Sequence, residues 1–186
     1  LTSIFGSNKN VFLSGCPSID LCKKIEKKKI NDLIKISPSL IGVGEKLSLK
    51  NNYIIVMQHP VTNEYGKGYK QINETMKACL KANINTIWFW PNPDSGSLHL
   101  SKFLRAEREK SKLEKFLFIK NTSPEKFLLL LKFCKCIIGN SSAGIRESSY
   151  LGVPSINIGT RQSNRERASN VINCNYDSNE IYNSIK

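Results

Sequence analysis

Residues 137–162 read IIGNSSAGIRESSYLGVPSINIGTRQ. One apolar run ends in Gly-Asn-Ser-Ser-Ala-Gly, and a second ends in Gly-Thr-Arg-Gln. Two hydroxyls (Ser141, Ser142) between two glycines (Gly139, Gly144) suit a phosphate, because they offer donors on a backbone that an anion can approach closely. If a helix covers 143–151, the unpaired N–H groups and partial positive charge at its start add to that attraction. Glu147 lies three residues after Gly144 and four after Ala143, on the face that the small residues leave open. A carboxylate there can accept hydrogen bonds from a ribose diol. A serine-capped helix with a glutamate in its first turn gives the same pattern without any ligand.

Other residues could join this chemistry. His59 follows an apolar run and precedes Pro60, where an imidazole can donate to a phosphate or a leaving oxygen, or move a proton; a lone histidine also serves structural roles. Arg161 closes the second run, and arginine is the better fork for phosphate. Four of the six arginines (Arg146, Arg161, Arg165, Arg167) lie in or just beyond this stretch. Asp94 is a weaker candidate, since Asp and Gly are expected in turns. His99 reads as surface, and Trp88 and Trp90 as core. No second carboxylate stands beside Glu147 as a base, and no serine or cysteine triad appears. The residues support nucleotide binding better than complete catalysis.

Alternating strands and helices must position these side chains. Short β-rich runs at 11–13, 53–57, 86–90, 116–119, 136–138, 154–158 and 171–173 predict strands, most of them apolar on both faces. Helical spacing covers 19–36, 69–82, 98–113, 124–133, 143–151 and 178–185, with Ser123-Pro124 as a helix start. This order predicts an α/β fold, a Rossmann-like parallel sheet with helices on both faces, whose ligands bind at the carboxyl ends of the strands. Five polar turns, after Leu13, Met57, Trp90, Ile138 and Ile158, should then share one rim. Residues 36–52 read as a loop or short linker.

With 186 residues, of which 40% are hydrophobic, the chain suits one domain with a real core. No apolar run reaches the ~20 residues of a membrane span. The net charge is +13, but 22 of the 28 basic residues are lysines, which favours a solvated surface over nucleic-acid binding. Lys27, Lys28 and Lys29 would sit on a helix face. Six cysteines without a C-x-x-C pair, and only two histidines, argue against a zinc site and for reduced thiols in a cytoplasmic protein. The first residue is Leu1 rather than Met, as expected of a fragment.

Taken in order, several motifs carry a resemblance: Gly15-Cys16-Pro17-Ser18 with Asp20, Gln58-His59-Pro60-Val61-Thr62, and Pro91-Asn92 with Asp94 and Gly96. They continue with Gly139-Asn140-Ser141-Ser142 through Glu147 and Gly152-Val153-Pro154 through Gln162. Together they resemble the UDP-N-acetylglucosamine 2-epimerases, and Pro-Val-Thr after His59 resembles the hydrolysing branch rather than the non-hydrolysing one. The resemblance implies a GT-B arrangement of two Rossmann-like domains. Residues 1–20 would be the inter-domain connection and first strand, and 21–186 the C-terminal, UDP-binding domain; the N-terminal catalytic domain would be missing. Carried over by position, Ser141 and Ser142, with Gly144 between the small residues, hold the pyrophosphate, and Glu147 takes the ribose hydroxyls. Asn92 and the backbone near Thr122 lie near the nucleotide, while His59 and Arg161 face the phosphates or the departing UDP in the catalytic roles. The implied partners are UDP-N-acetylglucosamine and UDP, in a homo-oligomeric full-length protein, with no metal or organic cofactor. A non-hydrolysing epimerase and half of a GT-B glycosyltransferase remain alternatives.

Overall fold

The structure, a computed structural model, describes residues 6–7, 9–50, 52–110 and 113–186. Its described residues form one sheet of β1 (Val43–Gly44), β2 (Tyr53–Met57), β3 (Asn85–Phe89), β4 (Phe116–Ile119), β5 (Cys136–Gly139), β6 (Ser155–Ile158) and β7 (Val171–Cys174). The strand order is β1-β4-β3-β2-β5-β6-β7. Every pair is parallel except β1 with β4. The helices are α1 (Pro17–Glu26), α2 (Ile30–Ile36), α3 (Gly68–Ala82), α4 (Ser97–Lys110), α5 (Pro124–Phe133), α6 (Glu147–Leu151) and α7 (Ser178–Ile185).

The apolar strands feed two cores, because successive side chains of a strand point to opposite faces. Ile54, Val56, Trp88, Phe116, Phe118, Ile138 and Ile156 pack with Met76 of α3, Leu104 of α4 and Ile181 of α7. On the other face, Tyr53, Ile55, Ile87, Leu117, Ile119 and Ile137 pack with Cys22 of α1, Leu33 of α2 and Leu130 of α5. The buried Tyr53 hydroxyl donates to the Leu130 carbonyl at 2.6 Å, which satisfies its one polar atom inside that core.

The chain runs outward from β2 through β3 to β4, crosses back by way of α5, and continues outward from β5 through β6 to β7. Strand order therefore reverses between the adjacent strands β2 and β5. Crevices at such reversals, outside the carboxyl ends of the strands, are where open α/β sheets bind ligands.

Five expectations need correction. The expected strand at 11–13 is irregular chain, with Phe12 84% and Leu13 102% exposed; a three-residue apolar run has the same pattern whether or not anything covers it. An edge strand, β1, lies instead within the expected loop at 36–52. The single helix expected over 19–36 is two helices, and α1 already begins at Pro17, inside the expected connection. Lys27–Lys29 are thus not on a helix face but in the break: Lys132 of α5 donates to the carbonyls of Ile25, Glu26 and Lys28 at 3.4, 2.5 and 2.6 Å, closing α1, while Asp32 accepts from the Lys29 N–H at 2.8 Å to start α2. Finally, 143–151 is not one helix: a single 3-10 turn (Ser142–Gly144) precedes the five-residue α6.

Candidate functional site

The strand reversal is held together by side chains. Asn140, fully buried and directly after β5, accepts from the His59 N–H at 2.7 Å and donates from Nδ2 to the His59 carbonyl at 2.8 Å. Its own N–H donates to the Met57 carbonyl at 3.1 Å. The loop after β6 closes on the same residue, because the Asn140 carbonyl accepts from Arg161 Nη1 at 3.3 Å and Gln162 Nε2 at 2.8 Å. The loop after β3 joins through Asp94, which accepts from Arg161 Nη2 at 3.2 Å, and through Asn92, whose N–H donates to His59 Nδ1 at 3.1 Å. Glu64 accepts from both Gln71 of α3 and Thr160, tying the β6 loop to the segment after β2.

Four of the five expected turns thus form one bonded rim. The fifth, at 14–18, leads into α1 rather than ending a strand. It still lies near the segment that follows β5, since α1 packs against α6.

His59 is 3% exposed. Burial, reinforced by the Arg161 guanidinium and opposed by Asp94, pushes its imidazole down to about 4. With Nδ1 accepting from Asn92, the neutral ring carries its proton on Nε2, so His59 is arranged as a neutral hydrogen-bond donor. Arg161 brings a cation to the rim, where its Nη2 pairs with the partly exposed carboxylate of Asp94.

The Gly139–Gly144 turn differs from the expected cradle. The N–H groups of Gly144, Ile145 and Arg146 donate to the carbonyls of Ser141 and Ser142, and that of Ala143 donates to the Ser141 hydroxyl at 3.3 Å. Those donors close the turn and are not free for an anion; the Ser142 hydroxyl has no partner among the described residues. The glycines serve packing. At Gly139 (φ +130°) a Cβ would lie 2.1 Å from the Met57 carbonyl oxygen, and at Gly144 it would lie 2.7 Å from Ser155 Oγ. Their close approach is to neighbouring strands, which lets β5 end flush against β2.

Glu147 is buried, with 7% exposure, rather than on an open helix face. Arg146 Nη2 reaches its Oε1 at 3.3 Å, while its Oε2 is buried without a hydrogen-bond partner. An unpaired buried carboxylate oxygen costs about 1–3 kcal/mol, or more when charged. Thr122 stands apart from the network: it follows β4, is half-buried, and its N–H donates to Asn121 Oδ1 at 2.8 Å. His99 is exposed and Trp88 buried, as expected. No cluster of three His, Cys, Asp or Glu able to hold a metal occurs among the described residues.

Asn140, Gln162 and Glu64 carry the rim but are not legible as site residues from their types. The available hint for Asn140 was its place, a short amide directly after the glycine that ends a buried strand.

Known proteins are similar to this chain in sequence and in fold. A family described as UDP-N-acetylglucosamine 2-epimerase matches residues 2–186. A UDP-N-acetylglucosamine 2-epimerase of Neisseria meningitidis serogroup B is 35% identical over 179 residues, covering 96% of this chain and 44% of the relative. A GDP/UDP-N,N'-diacetylbacillosamine 2-epimerase (hydrolyzing) of Campylobacter jejuni is 34% identical over 129 residues, covering 68% of this chain and 33% of that protein. The chain therefore spans less than half the length of these relatives. In fold it is similar to the Methanocaldococcus jannaschii UDP-GlcNAc 2-epimerase solved with UDP-GlcNAc and UDP, with a TM-score of 0.62, 18% identity, and coverage of 90% of this chain and 44% of that one. The match over nearly all of its residues places this chain in the UDP-N-acetylglucosamine 2-epimerase family.

Proposed function

We propose that this chain is the UDP-holding half of a hydrolysing UDP-N-acetylglucosamine 2-epimerase, working in the cytoplasm in the synthesis of sialic-acid-type sugars. The observation that carries the reading is Glu147. Its Oε2 is buried without a partner at the start of α6, five residues after Ser142 in sequence. A ribose diol donating to Glu147, and a diphosphate meeting Ser141, Ser142 and Arg161 beside Gly144, would complete these groups. Asn92 and Thr122 would border the nucleotide. In the reaction, loss of the C2 proton of UDP-N-acetylglucosamine expels UDP and leaves a glucal, and addition of water yields N-acetylmannosamine. Arg161 would stabilise charge growing on the departing diphosphate, and neutral His59 would donate toward its oxygen. The proton-abstracting groups belong to sequence beyond this chain, so this half alone should bind UDP without turning over the sugar nucleotide.

The hydrolysing assignment rests on Pro60-Val61-Thr62 after His59 and on the hydrolysing name of the Campylobacter relative. The six cysteines are all free thiols, which supports the cytoplasmic setting.

Calorimetry with UDP and uridine tests the binding reading. Glu147→Gln should weaken both ligands by about tenfold, because both carry the ribose, whereas Arg161→Ala should weaken UDP alone. A chain that binds neither ligand refutes the reading. For a longer protein containing this chain, free UDP and N-acetylmannosamine are the expected products; UDP-N-acetylmannosamine as sole product would assign the non-hydrolysing reaction instead.

A further inference from the structure

The structure assigns Asn140 as the positioning residue of the rim: one buried amide fixes where the His59 imidazole stands relative to the Arg161 guanidinium. The inference rests on the nucleotide reading above for what these two groups meet, but not for the geometry itself. Asn140 uses its side chain and its main chain for different loops. The side-chain amide takes both backbone groups of His59, at 2.7 and 2.8 Å, and so sets the loop after β2. The main-chain carbonyl takes Arg161 at 3.3 Å and Gln162 at 2.8 Å, and so sets the loop after β6. The main-chain N–H, on Met57 at 3.1 Å, fixes the residue to the sheet. All three attachments belong to one side chain and its two flanking planar peptide groups, so neither loop can shift without straining the other.

Residue type explains why the position takes an amide. The two His59 groups are one donor and one acceptor, both inside a site from which water is excluded. A short amide supplies the matching acceptor and donor in one plane. Aspartate of the same shape keeps the acceptor for the His59 N–H but sets an oxygen against the His59 carbonyl. Alanine leaves both groups buried and unpaired, and the loop must move to find partners. Arg161 and His59 would then lose their fixed spacing, although neither has been altered.

Calorimetry and side-chain NMR on the full chain test this assignment. Asn140→Ala should lower UDP affinity by at least about tenfold while changing uridine affinity by less than about threefold, because the displaced groups face phosphate and not the nucleoside. In the same variant the His59 ring should lose its single neutral tautomer and take up a proton at a higher pH than in the unaltered chain. A residue that merely supports folding would lower the unfolding midpoint without moving either readout in the folded protein. Equal losses for UDP and uridine, or an unchanged His59 titration, overturn the assignment. If the alanine variant does not fold, Asn140→Asp serves, with the same two readouts expected to move in the same direction. Hydrogen exchange on the unaltered chain is a further check: the His59 amide should be strongly protected, and exchange at the rate of an open loop would show that the clamp is not formed. If the unaltered chain does not bind UDP at all, the nucleotide reading falls while the His59 titration and amide protection still decide the role of Asn140.

Discussion

Acidification from about pH 7.5 to about pH 4 should destabilise this chain through one buried side chain, His59. Its imidazole is held at about 4 in the fold, against an ordinary 6.5, by burial and by Arg161. The unfolded chain therefore takes up a proton as the pH falls through about 6.5, while the native chain does not until about 4. Above that window both states are neutral and the group is without effect; within it stability falls, and below it the loss levels off. The separation of 2.5 units between those two values corresponds to about 3 kcal/mol at about 1.36 kcal/mol per unit, with about 2 kcal/mol already lost at about pH 5. Urea unfolding of the chain and of His59→Gln at a series of pH values measures this. The glutamine variant cannot titrate, so the gap between the two curves should change by about 2–3 kcal/mol from pH 7.5 to pH 4. Parallel curves would refute the claim that His59 is buried in neutral form. Arg161→Ala should shrink the effect, because it removes a charge that opposes protonation.

Further expectations follow from packing and exposure. Gly139→Ala puts a Cβ 2.1 Å from the Met57 carbonyl oxygen at a φ of +130°, so it should cost more than about 3 kcal/mol or prevent folding, and a Tm close to that of the unaltered chain would refute the close approach. Lys132→Met keeps the apolar stem but removes the cap on three carbonyls, and should cost about 1 kcal/mol in urea unfolding. Of the six thiols, Cys16 alone is partly exposed, and the Ser18 hydroxyl and a backbone N–H hold it below its ordinary value, whereas burial raises the other five. Native labelling with a thiol reagent should therefore modify one cysteine quickly, and a peptide map showing a different one contradicts the structure.

Much of the fold was legible because its strands are short β-rich runs between helical segments, and the sheet needs little else to be inferred. Residues 53–57, 116–119, 124–133 and 178–185 have the expected bounds. What failed depends on partners far away in sequence. Nothing local to Phe12 and Leu13 reveals that no strand among the described residues pairs with them. The break at Lys27–Lys29 depends on Lys132, more than 100 residues away. In the site, His59 and Arg161 could be picked out by their chemistry, and they do meet in one network. The glycines at 139 and 144 are a different case: their residue type signals close approach, but not to what, and the structure shows neighbouring strands. Asn140 was hidden because an asparagine after a strand is ordinary, and its role exists only once β2 lies beside β5.

The His59–Asn140 pair spans 81 residues of sequence. Between its members the chain must lay down β3 and β4 with their helices before β5 can return beside β2, so the site spans the longest loop closure of the inner sheet. Contacts of such separation tend to be slow to form. The rim is thus a reporter of folding order as well as a place where a ligand rests. In pulse-labelled refolding, the His59 amide should gain protection after the β2–β3 ladder, and earlier protection of His59 would show that the centre of the sheet closes first.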